Sequence, residues 1–477
     1  MKKLLYIYAV GALLFASCTK DFEAINTNPN APIEVQPSLL LRQVIYDYGE
    51  QMSYEGFTAG NPLGQYMTMV DFNLFDRHSL TQPQYGGNPW PVVYKNLRDN
   101  ELLLNTSREN PAQAVYEGPA LIMKAYMAQA LTDMYGDVPY FEALQGKSGN
   151  VSPVYDSQED IYLAENGILD NLNRGIEAIE NYTGAASLDG DILFNGALAG
   201  WLRFANSLKI KALMRISAKQ DVSTELQAIV DAGVYIKTNA ENATYDFTDN
   251  QPNNFRMASL RQGDFNIYVM SATMDQIMDR YVDPRVSVLF RKSANDTYNG
   301  LLNGQDASQS SITVSDYSFA GTSFRESTGD LDANFITAWE TQFWLAEAAL
   351  KGYISDNAQT FYESGVELAF EYWMTDLPES YLTLDSAAYG AFGQDPMEQI
   401  ITQKWIANTI NGYEGWIEYN RTGFPKFKTL AASLNNGLIP SRLPYPTDEQ
   451  ALNATNFGAA AANTNGNNVN AKMWWQP

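Results

Sequence analysis

Apolar positions recur at helical spacing along most of the chain. In 196–216, Leu198, Trp201, Ala205, Leu208 and Ala212 step by 3, 4, 3 and 4 residues, which lays one apolar stripe along a helix. Phe335, Trp339, Phe343, Ala346 and Leu350 repeat the pattern, and Phe361, Gly365, Leu368 and Tyr372 do so again. Ser157, with Asp160 three places on, predicts a capped start ahead of Ile161, Ile168, Leu172, Ile176 and Ile179. Gly136 and then Pro139 predict a helix end after Tyr135. The predicted helices fall in pairs: 90–107 with 112–135, 158–181 with 195–219, and 334–352 with 357–374. Such pairs predict an all-α fold of tetratricopeptide-like units, although no strict repeat of ~34 residues is present.

Two stretches, 71–89 and about 237–333, lack the helical period and are rich in Gly, Asn, Ser and aromatics. Long irregular segments in a compact protein are usually functional or disordered, and the aromatics favour function here. Strand character is confined to short runs such as Ser311 to Ser315. The tail from Ala451 is Asn- and Ala-rich but ends in Met473, Trp474 and Trp475, which predicts docking onto the body.

The N-terminus bears on compartment. Lys2 and Lys3 precede an apolar run over 4–15 that suits a signal peptide and is too short for a bilayer, which needs ~20 residues. Ala16 and Ser17 lead to Cys18, the only cysteine. Phe15-Ala-Ser-Cys18 resembles the lipobox of bacterial lipoproteins, where the chain is cut before an acylated cysteine. The expected division is a signal peptide at 1–17, a lipid anchor and tether at 18–37, and one helical domain at 38–477 with irregular insertions at about 71–89 and 237–333. With Cys18 lipidated, no disulfide or cysteine metal site is expected. The whole sequence carries 31 basic and 55 acidic residues; removing Lys2 and Lys3 leaves 29 against 55, or −26. That balance argues against nucleic acid or anionic lipid as a partner, since both need clustered Lys and Arg.

Five motifs in order carry a family resemblance: TDMYGDVPY (132–140), WLRFANSL (201–208) running on to Met214 and Arg215, QFWLAEAA (342–349), QKW (403–405) with EGWIEYNRTGFP (414–425), and RLPYP (442–446). Together they resemble the SusD/RagB family, specifically its SusD-like lipoproteins, over nearly the whole mature chain. Asn420-Arg421 and Gly415 depart modestly from the family pattern. The resemblance implies a helical, lipid-anchored protein of the outer-membrane surface, palmitoylated at Cys18. Its helix pairs lie on one side and a looser ligand region on the other. It implies a SusC-like TonB-dependent transporter as partner, and a glycan or, less often, a peptide as ligand. Lys20, Asp21 and Glu23 resemble the surface-export signal of such lipoproteins.

Candidate chemistry is sparse. His78 is the only histidine and has no Gly-x-Ser-x-Gly elbow to serve. Asp189 and Asp191 flank a glycine without the rest of a calcium loop. No catalytic residue, metal site or cofactor is therefore expected. Glu340 and Glu347 share a helix face, and a carboxylate pair is all that glycoside hydrolysis requires, so a secreted all-α glycan-cleaving enzyme stays as an alternative. A scaffold that shapes the transporter without binding solute is another. A sugar site needs flat aromatic faces with amides and charges beside them. The candidates are Phe75, Arg77, Tyr85 and Trp90 in the first irregular stretch, and Asn254, Phe255, Arg256 and Tyr298 in the second. Trp90 also opens a predicted helix, where core packing competes with a place in the site.

Overall fold

In the computed structural model, residues 35–81, 85–306, 308 and 311–477 are described. Cys18, the signal peptide and most of the tether lie outside them. The first helix, α1 (Pro37–Glu55), starts with proline in its first turn, where the missing N–H costs nothing. It buries Leu40, Leu41, Val44, Ile45 and Tyr48 on one side. α2 (Trp90–Glu109) packs on α1 and on α3 (Glu117–Tyr135), and α3 packs on α4 (Ile168–Glu180). α5 (Leu198–Ile216) follows and lies against α4. Helix α3 ends after Tyr135, where Gly136 takes a φ of 80° that side chains disfavour.

The predicted helix over 158–181 is two pieces. Ser157 caps Gln158–Leu163, accepting from the Asp160 amide at 3.1 Å, and α4 begins anew after Gly167. The bend is backed by Gly167, whose absent Cβ would meet the Ile161 carbonyl oxygen at 2.7 Å. α6 (Ser223–Ala232) closes this half against α5.

The second irregular stretch contains more order than its sequence pattern predicts. α7 (Ala272–Tyr281) runs through it, with Ser271 capping the Met274 amide. Two small antiparallel ladders also form. β1 (Met67–Met69) pairs with β3 (Tyr268–Met270), and β2 (Ala243–Asp246) pairs with β4 (Asp332–Ile336). Ser311 to Ser315 is not a strand; Val314–Asp316 makes a 3₁₀ turn instead. Its apolar Ile312 and Val314 lie near the surface and face no strand partner.

α8 (Ala338–Leu350) and α9 (Ala358–Tyr372) form a closely packed pair, capped by Thr337 and Asn357. α10 (Pro396–Ala407), α11 (Gly412–Thr422) and α12 (Ala454–Asn463) complete the helices. The core has two parts. One gathers α1 to α6 with Trp416 and Trp475; the other gathers the β1–β3 ladder, α7, α9 and α10. Helix α8 feeds both: Trp344 and Leu345 enter the first, Trp339 and Phe343 the second. Trp475 is fully buried, so the tail docks as its tryptophans predict.

Candidate functional site

The structure redistributes the predicted site residues. Trp90 is core: Tyr135 stands edge-on to it at 5.0 Å and Tyr445 at 6.2 Å. Phe255 is fully buried, edge-on to Phe57 at 5.8 Å and tilted against Phe247 at 5.4 Å. Phe75 is also buried, and its ring fills the space that a Cβ on Gly87 would need. None of the three has a ring face left for a ligand. Arg77 is a strut. Its Nε donates to the Ala432 carbonyl at 2.9 Å and its Nη2 pairs with Asp306 at 3.6 Å. Tyr298 packs half-buried on the second core, and no described contact joins it to the other candidates.

Tyr85 and Arg256 do come together, around residues that the sequence pattern did not single out. Tyr46, Glu50 and Tyr54 step by four along α1, on the side away from Leu41, Val44 and Ile45. Eight residues of helix span about 12 Å. The Arg256 guanidinium lies over the Tyr54 ring, 4.3 Å from its centroid. Tyr46 donates its hydroxyl to the Pro252 carbonyl at 2.8 Å and meets Tyr245 edge-on at 5.5 Å. Segment 250–259 thus rides along α1, with Asn254 half-buried within it. Burial raises the Tyr54 hydroxyl pKa, with Arg256 lowering it and Glu55, Tyr85 and Glu50 raising it, so all four stand close by. Beyond Tyr85 comes Phe72, half-exposed and edge-on at 5.4 Å. The result is an aromatic ridge of Tyr46, Tyr54, Tyr85 and Phe72, edged by Glu50 and Arg256.

Two buried carboxylates hold the loops that carry this ridge. Glu55 accepts from the Gly87 amide at 2.6 Å and the Tyr413 hydroxyl at 3.2 Å, which pins the loop after Tyr85 onto the end of α1. Gly86 and Gly87 both have positive φ and no room for a Cβ, which would meet Thr58 at 2.2 Å and Phe75 at 2.6 Å. Asp76 accepts from the Thr68 hydroxyl, the Asn303 amide and the Gly304 N–H at 2.7, 2.7 and 2.6 Å, tying the Phe72 loop to 301–306. Burial pushes its pKa up to about 6 against those three donors. His78, at the far end of this loop, is buried and takes no part in the ridge. Its Nδ1 lies 3.1 Å from the Leu438 carbonyl, and burial lowers its pKa to about 4.

The remaining chemistry is structural. Glu340 and Glu347 do not face water. Glu340 pairs with Lys211 at 3.3 Å and Glu347 with Arg421. Lys211 and Arg215 are likewise buried within this network, Arg215 fully. Asp191 accepts from the Leu193, Phe194 and Gly196 amides and the Trp201 indole, which makes it the turn before α5. A cavity of about 60 Å³ opens between α1, α3 and α11, lined by Gln129, Asp133, Lys211 and Glu414. At ~10–15 Å³ per water it holds roughly four to six waters, too little for an oligosaccharide. The Gln129 carbonyl oxygen, buried without a donor, gives such water a partner. Among the described residues no cluster of His, Cys, Asp or Glu is placed to hold a metal ion.

Residues 29–446 match the family model described as starch-binding, associating with the outer membrane, and the chain belongs to this SusD-like family. Solved structures agree. A SusD homologue from Bacteroides fragilis is 26% identical, with a TM-score of 0.78 over 93% of this chain and 99% of that one. An outer-membrane protein from Bacteroides vulgatus, whose description points to nutrient binding, is 25% identical with a TM-score of 0.78 over 93% and 100%. A chitin-binding SusD homologue from Flavobacterium johnsoniae, at 22% identity, shares the fold with a TM-score of 0.76 over 92% and 98%. No curated protein matches the chain.

Proposed function

We propose that this chain binds an oligosaccharide on the ridge of Tyr46, Tyr54, Tyr85 and Phe72 and passes it, unaltered, to a TonB-dependent transporter of the outer membrane. The ridge carries the proposal. Tyr46 and Tyr54 stand about 12 Å apart along α1, and with Tyr85 and Phe72 they offer aromatic surface to the C–H side of several pyranoses. Glu50 and Arg256 stand beside them to accept from and donate to hydroxyls. Membership of a starch-binding, outer-membrane family supports the ligand class and the compartment. The chitin-binding relative and the nutrient-binding description point the same way. Anchorage by lipid at Cys18 and exposure at the cell surface complete the proposal, on the strength of the lipobox-like run before that residue.

Binding without turnover is part of the same proposal. Both carboxylates of the Glu340–Glu347 pair are spoken for by cations, which removes the motive for the glycan-cleaving alternative. The test is calorimetry against neutral oligosaccharides. Kd values on the order of µM to mM suit an open site. Tyr54→Ala and Tyr85→Ala should each weaken binding several-fold, on the scale of ~1–3 kcal/mol per stacked ring, with Tm nearly unchanged. Unchanged affinity in both variants would remove the ridge from the site, and shorter sugars released by the purified protein would restore the enzyme reading.

A further inference from the structure

We infer, given that the ridge is the glycan site, that it selects uncharged oligosaccharides and that Glu50 is the residue that turns acidic ones away. Glu50 sits one helical turn from Tyr46 and one from Tyr54, about 6 Å along the axis from each. A sugar stacked on either ring therefore lies within reach of its carboxylate. The charged groups that face Glu50 leave it without an ion pair. Lys95 is taken by Asp47 at 2.8 Å on the same helix. Arg256, across on segment 250–259, lies over the Tyr54 ring and bears on Glu50 only through space. Asp47 adds charge of the same sign as Glu50.

A carboxylate with no cation partner, beside a guanidinium with no carboxylate partner, forms one acceptor set and one donor set on a single face. Neighbouring sugar hydroxyls, each both donor and acceptor, satisfy the two together. Burial raises the pKa of Glu50, the mark of a carboxylate poor in water that gains from such donors. A uronate or sulfate at the same place meets the opposite balance. There the Glu50 carboxylate is reinforced by Asp47 and offset in part by Arg256 and Lys95, with Arg42 bearing on Tyr245 at the Tyr46 end. The molecule as a whole carries −24. One like charge at ~6 Å, in a medium between protein surface and water, weakens binding roughly tenfold. Whole-molecule repulsion beyond ~8 Å is screened at physiological salt, so the local carboxylate sets the discrimination.

The test titrates the mature chain and its Glu50→Gln variant with two sets of oligosaccharides. The neutral set is gluco-, xylo-, manno- and N-acetylglucosamine oligomers; the acidic set is oligogalacturonates, alginate oligomers and sulfated galactans. The wild type is expected to bind its best neutral member at least about tenfold tighter than any acidic one at low salt. Raising the salt should narrow that gap. Glu50→Gln should narrow it several-fold, with the variant's acidic Kd read against its own best neutral Kd. An acidic oligomer bound as tightly as the best neutral one overturns the inference and leaves the ridge as a glycan site. A ratio indifferent to both salt and Glu50→Gln does the same. If Glu50→Gln folds poorly, the salt dependence of the wild type decides alone. Failure of every oligomer, neutral and acidic, sinks the glycan reading itself.

Discussion

Glu418 shows how far single residues in this fold depend on distant partners. Its carboxylate takes Arg215 at 2.5 Å, Lys404 at 2.5 Å and Arg421 at 2.8 Å, all buried. Burial works against the charge, yet Arg421, Lys404 and Arg215 together hold the Glu418 carboxyl well below its usual range. Trp344 lies among the same cations, with the Lys404 ammonium 3.3 Å from its ring centroid. Glu418→Ala leaves three buried cations short of a partner and should cost on the order of 3–5 kcal/mol in a denaturant melt. Lys292→Ala breaks only the exposed pair with Asp296 and should cost under ~0.5 kcal/mol in the same experiment. Equal losses in the two variants would mean that the network is no more than a set of surface pairs. This network was not legible in the sequence. Glu340 and Glu347 have the spacing of a solvated helix face, and what buries them comes from α5 and α11, more than seventy positions away. The stripe through Trp201 was legible because its partners lie on its own helix.

At the scale of elements, helices with one apolar face declared themselves, and those with other devices did not. α7 was hidden because its ten residues, capped by Ser271, sit inside a Gly- and Asn-rich stretch. The ridge was hidden because α1 shows its aromatic face as Tyr46 and Tyr54, which read as ordinary amphipathic positions. Tyr85 and Arg256 were singled out because they lie in irregular segments; Trp90 and Phe255, singled out on the same ground, are core, since composition alone does not tell which ring faces in. The β2–β4 ladder carries a testable peculiarity. Asp246 stands opposite Asp332, like charges in direct register. Burial, then the Asp246 charge, pushes the Asp332 pKa up to about 7. The unfolded chain holds this carboxyl near its ordinary value of ~3.9. As pH falls through about 7 towards ~4, the native state takes up a proton that the unfolded state does not, so this group adds stability on acidification. Asp246→Asn removes the repulsion. Thermal melts should show the variant gaining on wild type at pH 8.5 and losing that advantage by pH 5.5. A difference in Tm that is flat across this range would mean the two carboxylates do not share a proton.

At the scale of the whole molecule, the two cores are joined through α8, which is buried nearly all round. Trp344 and Leu345 belong to one core, Trp339 and Phe343 to the other. A helix with both faces buried cannot stay folded after either core has gone, so the halves should unfold together. The candidate ridge lies along the same junction: α1 packs its Leu41 and Val44 into the first core, while Tyr54 and Tyr85 rest against the second. A site built there keeps its spacing only while both cores stand. Trp475 offers the test, because it is fully buried in the first core and far in sequence from the ridge. Arg215 lies 5.5 Å from its ring centroid, so the tail also covers the buried charges of α5. Trp475→Ala removes a buried indole and should cost on the order of 3–5 kcal/mol. Calorimetry of the variant should show a single transition moved to lower temperature, with the tryptophan emission of both cores changing at one midpoint. Ligand affinity well below that midpoint should match wild type, since no ridge residue has been touched. Two separated transitions, with the ridge lost in the second, would show that α8 does not couple the cores and that the site rests on the second core alone.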